Sequence, residues 1–388
     1  MTRDSFQGYL RSDGSVGVRN LVAVIPSCGC AQHAASRIAS LVEGAVLLNY
    51  TGGCGETHGD IALATELLAQ YAHHPNIIGT LVVSLGCETL NAHELAQKAA
   101  GGAAPVELLT IQELGGTAST VARGTELAHL MRARAEGMRR VECPVASLVI
   151  GLECGGSDAT SGMAANPAMG AFSDLMVAQG ARVILAETSE LLGAEHIMID
   201  RAANPAVAQE LIETVQSCER WLKATGEDFM GKQPSPGNVR GGITTVEEKA
   251  LGDVLKGGHS PFVQVLRYGQ RPTIPGLSFM DTPGNDPASV TGLVAAGCQV
   301  VTFTTGRGNP MGNAVAPVVK ITGNVHTWER MGSDMDLNAS TIIAGTESVE
   351  EVGLRLYELV LRVSSGMPSI AETLGHEEFS MLRLGPVY

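Results

Sequence analysis

The chain has 388 residues, enough for two or three packed domains of roughly 100–200 residues each. Its 40 acidic and 26 basic residues give a net charge of −14, and there is no basic run or basic–aromatic interleaving, which excludes a nucleic-acid surface. Aromatics are only 4% and glycines number 47, so the core must be made mainly of Ala, Val, Ile and Leu, with many tight turns or close backbone approaches.

The opening Met1–Leu10, with Arg3 and Asp4, lacks the apolar segment of a secretory signal. Apolar runs such as Leu21–Pro26 and Ile77–Leu85 are too short to cross a bilayer. A cytoplasmic, non-membrane protein is expected, and its eight cysteines are expected to be reduced thiols rather than a disulfide scaffold.

In chain order, Asn20–Pro26 reads as a strand, followed by Ser27-Cys28-Gly29-Cys30 and a helix over Ala31–Val42. A strand at Ala45–Tyr50, a loop at Thr51–Asp60 and a helix at Ile61–His73 come next. Ile77–Leu85 is a strand ending in Gly86-Cys87-Glu88-Thr89, with a helix from about Ala92. A basic helical stretch, Thr117–Arg140, precedes a domain boundary at Cys143-Pro144. A second half then begins with a strand at Ser147–Glu153, running into Cys154-Gly155-Gly156-Ser157-Asp158, a helix at Met169–Gln179 and a strand at Ala181–Glu187. Lys232–Asn238 reads as a Pro/Gly-rich loop. The strands Leu277–Met280 and Gln299–Phe303 lead into Asp281–Asp286 and Thr304–Pro310, and Ser348–Ser364 forms an amphipathic helix. Short apolar runs alternating with helical periods predict an α/β fold: two successive units, 1–143 and 144–388, with mostly parallel sheets and an active-site cleft at the carboxyl ends of the strands.

Six of these strands run directly into loops of Gly with Cys, Ser, Thr, Asn, Asp or Glu. In open α/β sheets, ligands bind outside the carboxyl ends of strands, so loops sharing one edge would line one polar cleft. The loop Gly52-Gly53-Cys54-Gly55-Glu56-Thr57-His58 sets a thiol, a carboxylate and an imidazole before a helix start, where backbone N–H groups favour anions. It lacks the spacing of a phosphate-binding P-loop. Cys54, Cys87 and Glu88 read as metal ligands, and no CxxC pair points to a zinc ribbon. An iron–sulfur cluster with ligands from separate loops stays open. Cys143, Cys218 and Cys298 read as ordinary buried residues. Ser157 and Asp158, set among glycines, suit a polyoxygenated ligand. Arg307 offers a bidentate clamp for a carboxylate or sulfonate, with a surface salt bridge as its structural alternative.

Together these segments resemble the altronate/galactarate dehydratase family. The resemblance rests on Gly8-Tyr9-Leu10-Arg11-Ser12-Asp13-Gly14, Gly52-Gly53-Cys54-Gly55, Ser84-Leu85-Gly86-Cys87-Glu88 and Cys154-Gly155-Gly156-Ser157-Asp158. It continues through Asn166-Pro167-Ala168, Gly193-Ala194-Glu195, Pro234–Asn238, Lys256-Gly257-Gly258, Thr282–Asp286 and Phe303–Gly306, covering nearly the whole chain. Full-length dehydratases of the family carry a further small N-terminal SAF-type domain, which in the family's sulfolactate sulfo-lyase is a separate subunit. With the family's first motif at Gly8, the resemblance implies a separate small SAF-domain subunit as partner, in an oligomer. Where altronate dehydratases tend to place a His before the glycines, this chain has Tyr50-Thr51, which weakens transfer of the sugar-acid activity.

The family's chemistry implies a divalent metal, iron(II) foremost with magnesium or manganese as alternatives, that stabilises the anion formed when C2 of a 2-hydroxy acid loses its proton. His58 and Glu88 are then candidate bases, Asp158 a further catalytic group, and Arg307 with the amides of Gly52 and Gly53 the anion clamps. A sulfonate would want a second cation, with Arg19, His33 and Lys256 as choices; a sugar acid would want the hydroxyl-rich set Ser157, Thr282, Asn285, Thr304 and Thr305. The expected function is β-elimination from a small 2-hydroxy acid: (2R)-sulfolactate to pyruvate and sulfite first, dehydration of altronate or galactarate second. A non-catalytic sugar-acid-binding subunit is the alternative from another class.

Overall fold

The computed structural model describes residues 4–229 and 233–388. The strands are β1 (Ser5–Leu10), β2 (Val16–Gly17), β3 (Leu21–Pro26), β4 (Ala45–Leu47), β5 (Ile77–Ser84), β6 (Val106–Thr110) and β7 (Val141–Pro144). The second half adds β8 (Val149–Cys154), β9 (Arg182–Leu185), β10 (Phe262–Leu266), β11 (Gly276–Met280), β12 (Val300–Thr304), β13 (Val318–Thr322) and β14 (Leu337–Asn338). Two parallel sheets result, a four-stranded one of order β4-β3-β5-β6 and a seven-stranded one of order β10-β11-β9-β8-β12-β13-β14. A small antiparallel sheet, β2-β1-β7, joins the chain's first strand to the segment between the two halves.

Every residue of β5, β11, β12 and β13 is buried, as strands covered on both faces should be. The predicted helix at Ile61–His73 begins three residues earlier, at His58, because the Thr57 side chain accepts from Asp60 N–H and caps it. The helix expected from Met169 begins at Asn166, after a π-helical turn over Ser161–Ala165. Of the expected Lys232–Asn238 loop, Lys232 lies outside the described residues. Pro236–Arg240 is a short helix, since Ser235 accepts from Asn238 N–H and proline suits its first turn.

One hydrophobic cluster spans both halves. Ala23, Ile25, Leu67 and Tyr71 of the first half pack with Val290, Leu293, Val294 and Phe303 of the second. Phe6, Val16 and Val18 in turn join the core built on Ile150, Phe172 and Tyr357. After Ile370–Leu374 the chain returns across the seam: Ser380 N–H donates to the Thr291 hydroxyl, Leu384 N–H to Asp60 and Tyr388 N–H to the Gly55 carbonyl. Among the described residues, no helix is long and apolar enough to cross a membrane.

Candidate functional site

The six predicted loops fall on two sheet edges, three on each. The loops after β3, β4 and β5 stand at the end of the four-stranded sheet, and those after β8, β11 and β12 at the end of the seven-stranded one, joined there by the turn after β9.

The second edge gathers charge. Along β8, successive side chains point to opposite faces, so Glu153 and Cys154 diverge. Glu187, just past β9, stands between them. Its carboxylate lies within 4.8 Å of ligand atoms of Cys154 and Glu190 in one group, and of Glu153 and Asp286 in another. Glu187 has φ +74°, the positive-φ exception among described non-glycine residues, and such a backbone costs about 1–3 kcal/mol unless its surroundings hold it. They do. Glu187 N–H donates to the Thr282 hydroxyl at 2.7 Å, Cys154 N–H to Glu187 Oε2 at 3.0 Å and Lys256 Nζ to the same oxygen at 2.6 Å.

Lys256 also sits 2.9 Å from Cys154 Sγ and has no solvent exposure. Glu190 pairs with Lys249, and the Cys154 thiol lies 3.4 Å from both Glu190 Oε2 and Asp253 Oδ1. Glu153 Oε2 accepts from the Ser289 hydroxyl at 2.7 Å. Yet Glu153 Oε1, Glu187 Oε1 and Asp253 Oδ2 are buried with no partner. Among the described residues, the cations that face the carboxyl groups of Glu153, Glu187, Glu190, Asp253 and Asp286 are the ammonium groups of Lys249 and Lys256, while Asn309 donates to Asp286 at 2.7 Å. An uncompensated buried anion is costly, so such a site must bind protons or a cation. Burial, then the charge of Glu187, pushes Glu153 up; burial, then Glu190, does the same to Asp253. Burial with Glu187 and Glu190 raises Asp286 to about 7. Burial opposes ionisation of Glu190 too, but Lys249 and Lys256 override it and hold its pKa below the ordinary value. The donor set fits a divalent cation, and the Glu153–Glu187–Asp286 group fits it best, because it contributes two unpartnered oxygens.

Two cavities flank the cluster. One of 260 Å³ is bordered by Ser157, Asp158, Asn166, Lys249 and Asp253, and one of 250 Å³ by Ser189, Glu190, Gln233, Lys249 and Asn285.

Of the residues singled out from sequence, Ser157, Asp158, Thr282, Asn285, Thr304, Thr305 and Arg307 lie at this edge. Asp158 Oδ1 accepts from Thr160 and from Ser161 N–H, and its Oδ2 accepts from Asn324 at 2.7 Å, which locks the turn after β8. The Thr282 hydroxyl serves Glu187 N–H and Ser289, Thr304 donates to Asn166, Thr305 accepts from Gly308 N–H and Asn285 caps the helix Asp286–Ala295. Arg307 is exposed, with one 3.2 Å bond to the Gly237 carbonyl. Lys256 is buried in the cluster, Arg19 is tied to Glu372, and His33 is exposed on the helix Gln32–Leu41.

Gly52, Gly53, Cys54, His58, Cys87 and Glu88 lie at the other edge. Cys54 and Cys87 are exposed, as is His58 in the first turn of its helix. Glu88 accepts from the hydroxyls of Ser27 and Ser84 and from Gly86 N–H. Burial opposes its ionisation, but these donors prevail and take its pKa down to about 2. The Gly52–Gly53 turn is held by Glu56, which accepts from Tyr50 and Gly53 N–H at 2.7 Å each.

Sequence reasoning missed Glu153, Glu187, Glu190, Lys249, Asp253 and Asp286. A signal existed for two of them: Glu153 interrupts an apolar strand and Glu187 directly follows one, and a charge has no place in a core unless partnered. Lys249 and Asp253 come from a helix far along the chain, and nothing local marks them.

A buried carboxylate, thiol and lysine cluster at the strand ends of a parallel sheet defines an enzyme built for proton or metal chemistry on a small polar substrate. Residues 8–136 match the D-galactarate dehydratase/altronate hydrolase second domain, and residues 145–387 the D-galactarate/altronate dehydratase C-terminal domain. The chain is 36% identical to the galactarate dehydratase (L-threo-forming) of Escherichia coli over 99% of its length and 77% of that protein's. It is 34% identical to the altronate dehydratase of Bacillus subtilis, over 98% of this chain and 78% of the relative. It is also 34% identical to the (2R)-sulfolactate sulfo-lyase subunit beta of Chromohalobacter salexigens, over 98% and 97%. The chain belongs to the galactarate/altronate dehydratase family and, like these relatives, is a lyase.

Proposed function

We propose that the chain catalyses β-elimination from a small 2-hydroxy acid at the edge formed by β8, β9 and β12, with a divalent cation on Glu153, Glu187 and Asp286. The observation that carries this reading is that Glu153, Glu187 and Asp286 each bring a carboxylate oxygen within 4.8 Å of the others, and that Glu153 Oε1 and Glu187 Oε1 are buried without a partner. Carboxylate oxygens suit magnesium, manganese or iron(II), and the family resemblance puts iron(II) first. Such an ion supplies Lewis acidity toward the substrate's carboxylate and 2-hydroxyl.

The chain's own groups divide the proton work. Glu190, whose pKa Lys249 and Lys256 lower against the effect of burial, and Asp253, whose pKa burial and Glu190 raise, border one cavity each and are shifted in opposite directions. Groups separated in this way take acceptor and donor roles. Glu190 accepts the C2 proton, the C2–H electron pair becomes the C2–C3 double bond, and the C3 substituent departs with its own pair. The resulting enol becomes the 2-oxo acid. Hydroxide leaves only with a proton, which Asp253 supplies; sulfite needs none.

For the substrate, (2R)-sulfolactate remains the first reading. Arg307 is exposed and Lys249 borders both cavities, whereas the hydroxyls of Thr282, Thr304 and Thr305 that would suit a polyol are taken up by internal bonds. Dehydration of a sugar acid is the second reading, favoured by the raised pKa of Asp253, which burial causes first and Glu190 next. A separate small SAF-domain subunit completes the enzyme in either case. The test is the purified chain with that subunit and iron(II), magnesium or manganese, assayed for 2-oxo acid and sulfite from sulfolactate, and for 2-oxo acid from altronate and galactarate. Glu187→Gln should lower retained metal and turnover at least tenfold. Asp253→Asn should abolish water loss and spare sulfite release. Full metal retention in Glu187→Gln would remove the proposed centre.

A further inference from the structure

Glu187 belongs to two groups of ligand atoms, and the two are not equivalent. With Glu153 and Asp286 it forms a set of carboxylates; with Cys154 and Glu190 it forms a set that includes a thiol. Glu153 and Cys154 leave β8 on opposite faces, so the groups lie on either side of the Glu187 carboxyl group. Two cation positions joined by one carboxylate is the layout of a two-metal site, whose ions sit about 3.5–4 Å apart.

The Cys154 side already holds a cation. Lys256 Nζ lies 2.6 Å from Glu187 Oε2 and 2.9 Å from Cys154 Sγ, with no solvent exposure. The thiol in turn lies 3.4 Å from Glu190 Oε2 and from Asp253 Oδ1, so three carboxyl groups and a thiol gather around that one ammonium. Lys249 takes the other oxygen of Glu190. Asp253 is buried as well, and its Oδ2 has no partner. On the other side, Glu153 accepts from Ser289, and Glu153 Oε1 and Glu187 Oε1 are left free.

The backbone delivers Lys256 to this point. It lies in the turn Val254–Gly257, which is pressed onto the helix Asn166–Ala178. A Cβ on Gly170 would run into the Leu255 carbonyl, and one on Gly258, whose φ is +61°, into the Gly170 carbonyl. Glycine on both sides permits that approach. Arg201 donates to the Gly257 and Ser260 carbonyls at 2.9 and 2.8 Å, which holds the far end of the turn.

We propose that the Lys256 ammonium permanently fills the second of two cation positions sharing Glu187, so that the chain takes one divalent ion, on Glu153, Glu187 and Asp286, and excludes another from the Cys154 side. Given the metal centre proposed above, on which this assignment rests, Lys256 is a positioning residue. By taking Oε2 of Glu187 it leaves Oε1 for the ion, and it keeps the soft sulfur ligand from drawing a metal to the wrong face.

Cobalt(II) is the probe, because it binds carboxylates and thiolates alike and absorbs strongly in the near ultraviolet when a thiolate is its ligand. The whole chain, stripped with a chelator, is titrated anaerobically beside Lys256→Met, Cys154→Ser and the double variant, reading cobalt per chain, that absorption and circular dichroism. Lys256→Met should bind one more ion per chain than wild type, with new thiolate absorption, and adding Cys154→Ser should remove both. Cys154→Ser alone should keep the wild-type count and spectrum, which separates Cys154 from the exposed Cys30, Cys54 and Cys87. A folded Lys256→Met with the wild-type count, or wild-type absorption that Cys154→Ser removes, overturns the proposal. Wild type that binds no cobalt removes the centre on Glu153 instead, and a thiolate-bound ion gained by Lys256→Met still marks the position Lys256 fills. If Lys256→Met does not fold, Lys256→Ala is refolded with and without cobalt(II): recovery with the ion supports a cation position there, and no recovery overturns it.

Discussion

His74 shows how one residue can set the acid limit of this protein. It is buried between the two halves, where its Nδ1 accepts from Asn76 N–H and its Nε2 faces the Cys298 carbonyl at 3.0 Å. That pairing requires the neutral ring with the proton on Nε2. Burial lowers its pKa from 6.5 to about 3. The unfolded chain takes up a proton below pH 6.5 and the folded one does not, so this contribution is complete above pH 6.5 and is lost as pH falls toward 3. The loss reaches about 1.4 kcal/mol per pH unit. In urea titrations from pH 7 to 4, His74→Gln should be less stable at pH 7 but lose stability less steeply on acidification. An unchanged slope would contradict the assignment.

Among the elements, the loops at the strand ends are shaped by backbone that only glycine allows. Gly53 has φ +86°, and a Cβ there would run into the Ser27 carbonyl. Gly115 has a similar φ of +79° with nothing within 4 Å of an added Cβ. The left-handed conformation alone costs a non-glycine residue roughly 1–2 kcal/mol. Gly115→Ala should cost about that much, and Gly53→Ala clearly more, because the loop after β4 must also move off β3. Thermal unfolding of the two variants checks the difference; equal losses would mean that the contact with Ser27 yields freely.

At the scale of the molecule, the halves should unfold together. The helix Asp286–Ala295 buries Val290, Leu293 and Val294 in the cluster that also holds Leu67 and Tyr71, so the first half, though it has a cluster of its own around Ile38 and Leu81, closes its other face only against the second. The returning chain from Ser380 to Tyr388 adds hydrogen bonds across the same seam. Calorimetry should show one transition. Leu293→Ala, at a fully buried position, should cost about 2–5 kcal/mol and lower that single transition without splitting it. Two resolved transitions in the parent chain would show that the seam is weaker than its burial suggests.

The sequence by itself determined the fold class and most strand–loop–helix units, because a buried parallel strand is a local signal: an apolar run of the right length ending in glycine and small polar residues. It also drew attention to Gly52-Gly53-Cys54 and Cys154-Gly155-Gly156, where glycines and a thiol stand in consecutive residues. Only the tertiary structure decided which loops share an edge, and it put three on each sheet. It alone revealed that Thr282, Thr304 and Thr305 are occupied by neighbours, and that Glu187, Glu190, Lys249 and Asp253 converge on Cys154. The physical reason is range. A strand or a turn is specified by the residues within it, whereas the charge and hydrogen bonding of a buried carboxylate are fixed by partners from other strands and helices, brought near only when the sheet closes around them.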